Sequence, residues 1–164
     1  MAQGTFVLFD EFAESIGDGR IDLDTDSFAV GLTTLQVGGT PTIAKTDAIP
    51  HWGGTGTTNI ATSEVTPGGG YSAGGITLAA PTWVQTSGVG KFDHNAGEAS
   101  ITWTSAASGD PATIKTAVLY KTTGNKDCIG FIDMTADGTT AISLLAGDIT
   151  ITWGAGGLFT VTNP

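Results

Sequence analysis

The spacing of hydrophobic positions changes part-way along the chain. Leu8, Phe9, Phe12 and Ile16 fall on one stripe of a 3.6-residue period, with Asp10, Glu11 and Glu14 mostly off it. This predicts a helix over 6–16, with Thr5 as N-cap, early carboxylates at the positive end of the macrodipole and Gly17 as the stop. Its apolar face would cover one end of a sheet or a neighbouring subunit. From residue 20 onward the period becomes two. Phe28, Val30 and Leu32 alternate with Ala29, Gly31 and Thr33, and Ile101 and Trp103 alternate with Thr102 and Thr104. The clearest alternation sets Ile149, Ile151 and Trp153 against Thr150 and Thr152, and Phe159 and Val161 against Thr160 and Thr162 repeat it. Val118 and Tyr120, then Ile129–Ile132, predict two more strands around a turn at Thr123-Gly124-Asn125.

Residues 36–75 break any period with Gly38-Gly39, Gly53-Gly54, Gly56 and Pro67-Gly68-Gly69-Gly70. Irregular stretches of this length tend to be functional or to order against partners. Inside this one lies the apolar island Ile49-Pro50-His51-Trp52, with Trp52 either a core plug under the loop or an anchor into a neighbouring subunit. The expectation is a mainly β fold: an antiparallel β-sandwich or barrel-like domain with one short N-terminal helix and a long Gly/Thr-rich loop region. No repeat or linker divides it, so a single domain spans 1–164.

Composition sharpens this picture. The 164 residues include 25 glycines and 28 threonines, and only 13% are charged. That length can bury roughly 68–70% of its unfolded surface, and 40% hydrophobic content excludes a disordered chain. Threonine suits a solvated strand face, because its branching fits the pleat and its hydroxyl is wettable. A net charge of −10, with six scattered basic residues, argues against nucleic acid as a partner. The first residues carry no basic leader, and no apolar run reaches membrane-spanning length. The chain is therefore expected to act in the cytoplasm or to leave the cell by a route other than a signal peptide.

Candidate chemistry is sparse. The single cysteine, Cys128, excludes an internal disulfide and reads as a buried thiol in an apolar run. Gly70-Tyr71-Ser72-Ala73-Gly74 matches the nucleophile-elbow pattern, but the strand-like Ile76-Thr77-Leu78 follows it where a helix is required. Its acid and base would have to be the adjacent Asp93 and His94, so a glycine-rich turn is the expectation. Asp22, Asp24 and Asp26 begin like a calcium loop, yet Ser27 and Thr33 stand where Gly and Glu are needed. They are expected on one face of a strand, as solvated rim charges. His51 and His94 have no metal-ligand spacing, and Lys91–Gly97 reads as a hairpin turn. Neither a phosphate loop nor a dinucleotide fingerprint occurs. Sixteen carboxylates, only four of them Glu, show no glycosidase cleft signature. No catalytic, cofactor-binding or metal residue is assigned, and no enzyme activity is expected.

The order of segments resembles a family of small bacteriophage virion structural proteins. The matching pieces are the first helix with Ile21–Asp26, the strand Phe28–Leu32, Glu64-Val65, and Gly70–Leu78. Ala99–Thr104, Ala117–Gly124, Ile129–Asp133, Ile149–Trp153 and Gly157-Leu158 follow, while Gly53–Ala61 departs from the pattern by its extra Gly and Thr. The resemblance implies a virion component assembled in the host cytoplasm, and within that group a capsid cement or decoration protein that bridges capsomers as a homotrimer. Its partners would be the major capsid protein and copies of itself, with no nucleic acid and no membrane. The alternative is a tail or fibre component such as a receptor-binding adhesin. Long pliable loops and a low-charge surface would suit such packing, whose interfaces bury roughly 1,200–2,000 Å².

Overall fold

The computed structural model describes residues 4–94, 100–154 and 156–162. The chain runs β1 (Phe6–Leu8), α1 (Phe12–Gly17), β2 (Phe28–Thr33), β3 (Gln36–Val37), β4 (Thr42–Ile43), β5 (Pro50–His51), β6 (Thr58–Asn59) and β7 (Ile76–Thr77). It continues through β8 (Pro81–Thr86), β9 (Val89–His94), β10 (Ser100–Trp103), β11 (Thr116–Lys121), β12 (Cys128–Asp133), β13 (Ile149–Thr152) and β14 (Phe159–Thr162). Among the described residues the fold is mainly β, with antiparallel sheets in a sandwich-like arrangement, one short α-helix and no closed barrel.

A five-stranded antiparallel sheet in the order β1-β12-β11-β2-β7 forms the centre. Every residue of β2 is buried, as are all but one in each of β11 and β12. Strand alternation therefore supplies two apolar faces. Phe28, Val30, Leu32, Ala117 and Leu119 turn one way, onto Phe92 and Phe159 of a three-stranded sheet, β14-β9-β8, and onto Ile101, Trp103 and Ile149 of the pair β10-β13. Ala29, Val118, Tyr120 and Phe131 turn the other way. A bulge between Leu119 and Tyr120 makes Tyr120 face Cys128 rather than Ile129. Ile129 thereby joins the first core while Cys128 joins the second.

The second face is roofed by the irregular segment. Leu35, Ile43, Trp52 and Ile60 are buried on it together with Phe9. The segment is not one open loop. It contains the two-residue parallel pairings β3–β4 and β5–β6 and a 3₁₀ turn over Ile60–Ser63. Backbone bonds from Trp52 N to Lys126 O (2.9 Å), Thr34 N to Ser63 O (2.9 Å) and Val65 N to Leu32 O (3.0 Å) tie it down. Trp52 is the core plug: it is 4% exposed, stacks on Tyr120 with centroids 4.7 Å apart, and lies over Gly31.

The N-terminal helix is shorter than its periodicity suggests. Phe6–Leu8 is a strand that takes the open edge of β12, placing Phe6 and Leu8 against the first core and Val7 against the second. Only Phe12–Gly17 is helical, and its N-cap is Glu11, not Thr5. Ile16, on the predicted stripe, is 41% exposed, whereas Ser15 is buried. So short a helix gains little by itself, and a sheet edge offering backbone partners for three residues wins. The helix ends at Gly17, the expected stop, but Gly17 is its last helical residue; Asp18 is the C-cap and Gly19, at φ +68°, is the left-handed residue that follows and donates to Ile16 O.

Lys91–His94 is likewise strand, not turn: β9 lies between β8 and β14 and alternates half-buried with buried residues. The remainder of the expected turn, Asn95–Gly97, lies outside the described residues. The expected strands near 101–104, 118–120, 129–132, 149–153 and 159–162 are present, as is the turn at 123–125. Thr102 and Thr150 stand on the solvated face as predicted, their hydroxyls 2.8 Å apart.

Trp52→Ala should destabilise the isolated chain by about 3–5 kcal/mol, read from the denaturant midpoint. Gly31→Ala should also destabilise, because its methyl would occupy the volume of the Trp52 ring. A Trp52→Ala chain with unchanged stability would contradict the roofed-sheet packing.

Candidate functional site

The residues with possible chemistry do not converge. Ser72 is exposed in a turn whose carbonyl accepts from Gly75 N, and β7 follows directly, so the expected glycine-rich turn is what forms. Gly74 and Gly75 both have positive φ, and a side chain at Gly75 would collide with the Val30 carbonyl. Asp93 bonds Lys91 Nζ at 2.7 Å and accepts from His94 N, while His94 is buried with its ring 5.6 Å from Trp153. His51 is buried in β5, a strand of the roof itself, where its main chain forms a β-bridge with Asp127. Among the described residues, no three His, Cys, Asp or Glu side chains gather as a metal site.

The aspartates at 22, 24 and 26 occupy a turn, not the expected strand face. Asp22 Oδ1 accepts from Asp24 N, Asp26 Oδ2 accepts from Asp22 N, and Lys121 Nζ lies 2.8 Å from Asp26 Oδ2. Aspartates readily bond nearby main-chain amides, and here that competition removes the strand. The Cys128 thiol is buried as expected; burial first, and the Asp127 charge second, push its pKa well up.

Polar groups do converge at three places, where they fasten loops to the sheet or to one another. Glu64 Oε1 accepts from Tyr71 Oη (2.8 Å) and from Gly74 N, Tyr71 Oη accepts from Leu32 N (3.0 Å), and Tyr120 Oη donates to the Gly74 carbonyl (2.8 Å). Asp110 accepts from Gly70 N (2.6 Å) through one oxygen and from Ser105 Oγ and Ala106 N through the other. Arg20, the one arginine, bonds the buried Asp127 (2.6 Å) and Glu11 (2.9 Å). These partners lie as far as 107 positions apart, so sequence spacing carried no sign of them.

A cavity of about 530 Å³ opens between the central sheet and the β10–β13 pair, bordered by Phe6, Val30, Ala117, Leu119, Ile151 and Trp153. Among the described residues its one titratable lining side chain is Asp133, whose Oδ1 accepts from both the amide and the hydroxyl of Thr135. Among the described residues the lining is apolar side chains with Asp133, Thr150 and Thr152, and it holds no nucleophile–base pair. Among the described residues no helix is long and apolar enough to cross a membrane.

What the fold and these contacts define is a sandwich-like, mainly β protein whose buried polar groups serve its own loops. No family model, curated protein or solved structure matches the chain.

Two titrations check the fastenings. Burial is the main cause that raises both phenols. At Tyr71 the bond to Glu64 adds to it and the bond from Leu32 N opposes it; at Tyr120 the Glu64 charge adds, giving about 12. Because the folded values lie above the ordinary 10.0, their stabilisation is complete below pH 10 and is lost as pH rises toward 12. The two tyrosines should show no tyrosinate absorbance near pH 10 until the protein unfolds. Asp110 is the opposite case: the Gly70 amide, above all, holds its carboxyl below 3.8. Its contribution is present above that value and is lost as pH falls through the folded pKa. Asp110→Asn should lower the denaturant midpoint at neutral pH and flatten its acid decline.

Proposed function

We propose that this protein is a structural component of a bacteriophage virion, a capsid cement that decorates the head and bridges capsomers. Its partners are the major capsid protein and further copies of itself in a homotrimer. The observation that carries this reading is the ordered run of segments from Ile21 to Leu158 that resembles small virion structural proteins.

Physical features support it. A cement must resist deformation when neighbours pull on it, and a sheet buried on both faces with its loops fastened by Glu64, Asp110 and Arg20 is stiff. Exposed threonines and few charges make its outer strands cheap to desolvate. The segment 36–75 is not the pliable arm expected from its glycines. Contact with a shell then falls to preformed surfaces, and docking loses less ordering entropy.

Purified DNA-filled particles test the reading. Stoichiometric density on heads by electron microscopy, and heads without the protein that rupture at lower temperature, are the expected results. Its absence from DNA-filled heads would overturn the cement role, and density on tails beside bare heads would favour the tail or fibre alternative.

A further inference from the structure

The three-stranded sheet projects beyond the core that it covers. Phe159, Phe92 and Trp83 form a register row facing the central sheet, and Phe159 and Phe92 are buried. Beyond this row lie Thr160–Lys91–Val84 and then Val161–Gly90–Gln85. Val84 is 53% and Val161 45% exposed, although alternation points them to opposite faces. The Trp83 ring lies over Gly90, where any side chain would collide with it, so Trp83 closes the inner face at this row. The hairpin then ends at Ser87-Gly88, both at positive φ, which suits a two-residue turn and keeps β8 and β9 paired to the tip.

Two properties say what this tip suits. First, its own strands are uncharged: no titratable side chain occurs from Val84 to Gly90 or from Leu158 to Thr162, and the nearby carboxylates Asp22 and Asp24 border Trp83, one row back from the tip. The adjoining Lys91 is held at 2.7 Å by Asp93. In a chain of net charge −10, identical copies repel one another over most of their surface. An uncharged tip is where a second copy approaches at least cost. Second, β9 is flanked on both sides, whereas β8 and β14 each have one edge with no strand partner among the described residues. Sheet edges are ordinarily guarded by lysine, proline or a bulge. Here Pro81 guards only the start of β8, and β14 carries none of these.

We propose that copies of this chain join through this tip, the open edge of β14 in one copy pairing with the open edge of β8 in the next. The contact is heterologous; a trimer is the ring it makes when the rotation between successive copies is one-third of a turn. Backbone hydrogen bonds supply the register, and Val84 and Val161 supply apolar area on the two faces. The inference rests on the homotrimer in the proposed function for its stoichiometry, and on the sheet for its location.

The test is the solution mass of the full chain by light scattering, with Val84→Glu, Val161→Glu and the conservative Val84→Thr. Wild type and Val84→Thr should be trimeric. Each glutamate should raise the concentration for half-dissociation by roughly tenfold or more, since it places an unpaired charge in the contact. Circular dichroism should stay unchanged, because both side chains are solvent-exposed in one copy, and the thermal midpoint should fall no further than that of wild type diluted to monomer. A monomeric wild type, or glutamate variants that remain trimeric, would overturn the assignment, the latter placing the contact elsewhere. Head binding is scored separately. A trimer dissociated by Val84→Glu but absent from heads leaves the contact and removes the cement role, and a monomer that decorates heads does the reverse.

Discussion

The constraint on which the structure depends is that the central sheet has no wet face. Phe28–Thr33 is buried at every position, and its neighbours β11 and β12 nearly so. A sheet of this kind must be covered twice. The chain covers one face with further strands and the other with the segment between Leu35 and Ala61. Small residues make the second cover possible. Gly31 and Ala29 leave room for Trp52 to lie close to the sheet, and Tyr120 beside them gives that ring a stacking partner.

The glycines of the irregular segment follow from the same requirement. A roof without regular strands must still satisfy its backbone, and it does so by local turns, two-residue pairings and bonds to the sheet's loops. Side-chain carboxylates satisfy further amides. Glu64 and Asp110 accept from those of Gly74 and Gly70, one on either side of the exposed Ser72. That corner resembles a nucleophile elbow in letters alone. Among the described residues its hydroxyl has no base as partner, and its glycines serve close backbone approach.

Much of the fold was legible from the chain. The Ile/Thr alternation at 149–152 marks a half-wet strand, and the buried Cys128 follows from its apolar neighbours. The covering role of Trp52 was one of two readings, and contact with Tyr120, 68 positions away, decides between them. Other features were illegible for physical reasons. A three-residue strand such as β1 exists through its partner β12, and no local period announces it. The β8–β9 hairpin mixes Thr, Gln, Lys and Asp with its apolar residues, and Ser87-Gly88 was its one available sign. The carboxylate fastenings join distant positions, so spacing could not reveal them. The candidate surface at the hairpin tip was hidden with the hairpin.

Native-state hydrogen exchange, resolved by residue, tests the doubly covered sheet most directly. Trp52 donates a backbone bond from within the roof, Thr34 and Val65 donate theirs where the roof segment joins β2, and Val118 and Leu119 lie in the middle of the sheet. If the roof is half of the core, the amides of Trp52, Thr34 and Val65 should exchange as slowly as those of Val118 and Leu119 and open with the same free energy. Rapid exchange across 36–63 beside a still-protected β11 would contradict the account, because the sheet would then be stable with one face uncovered.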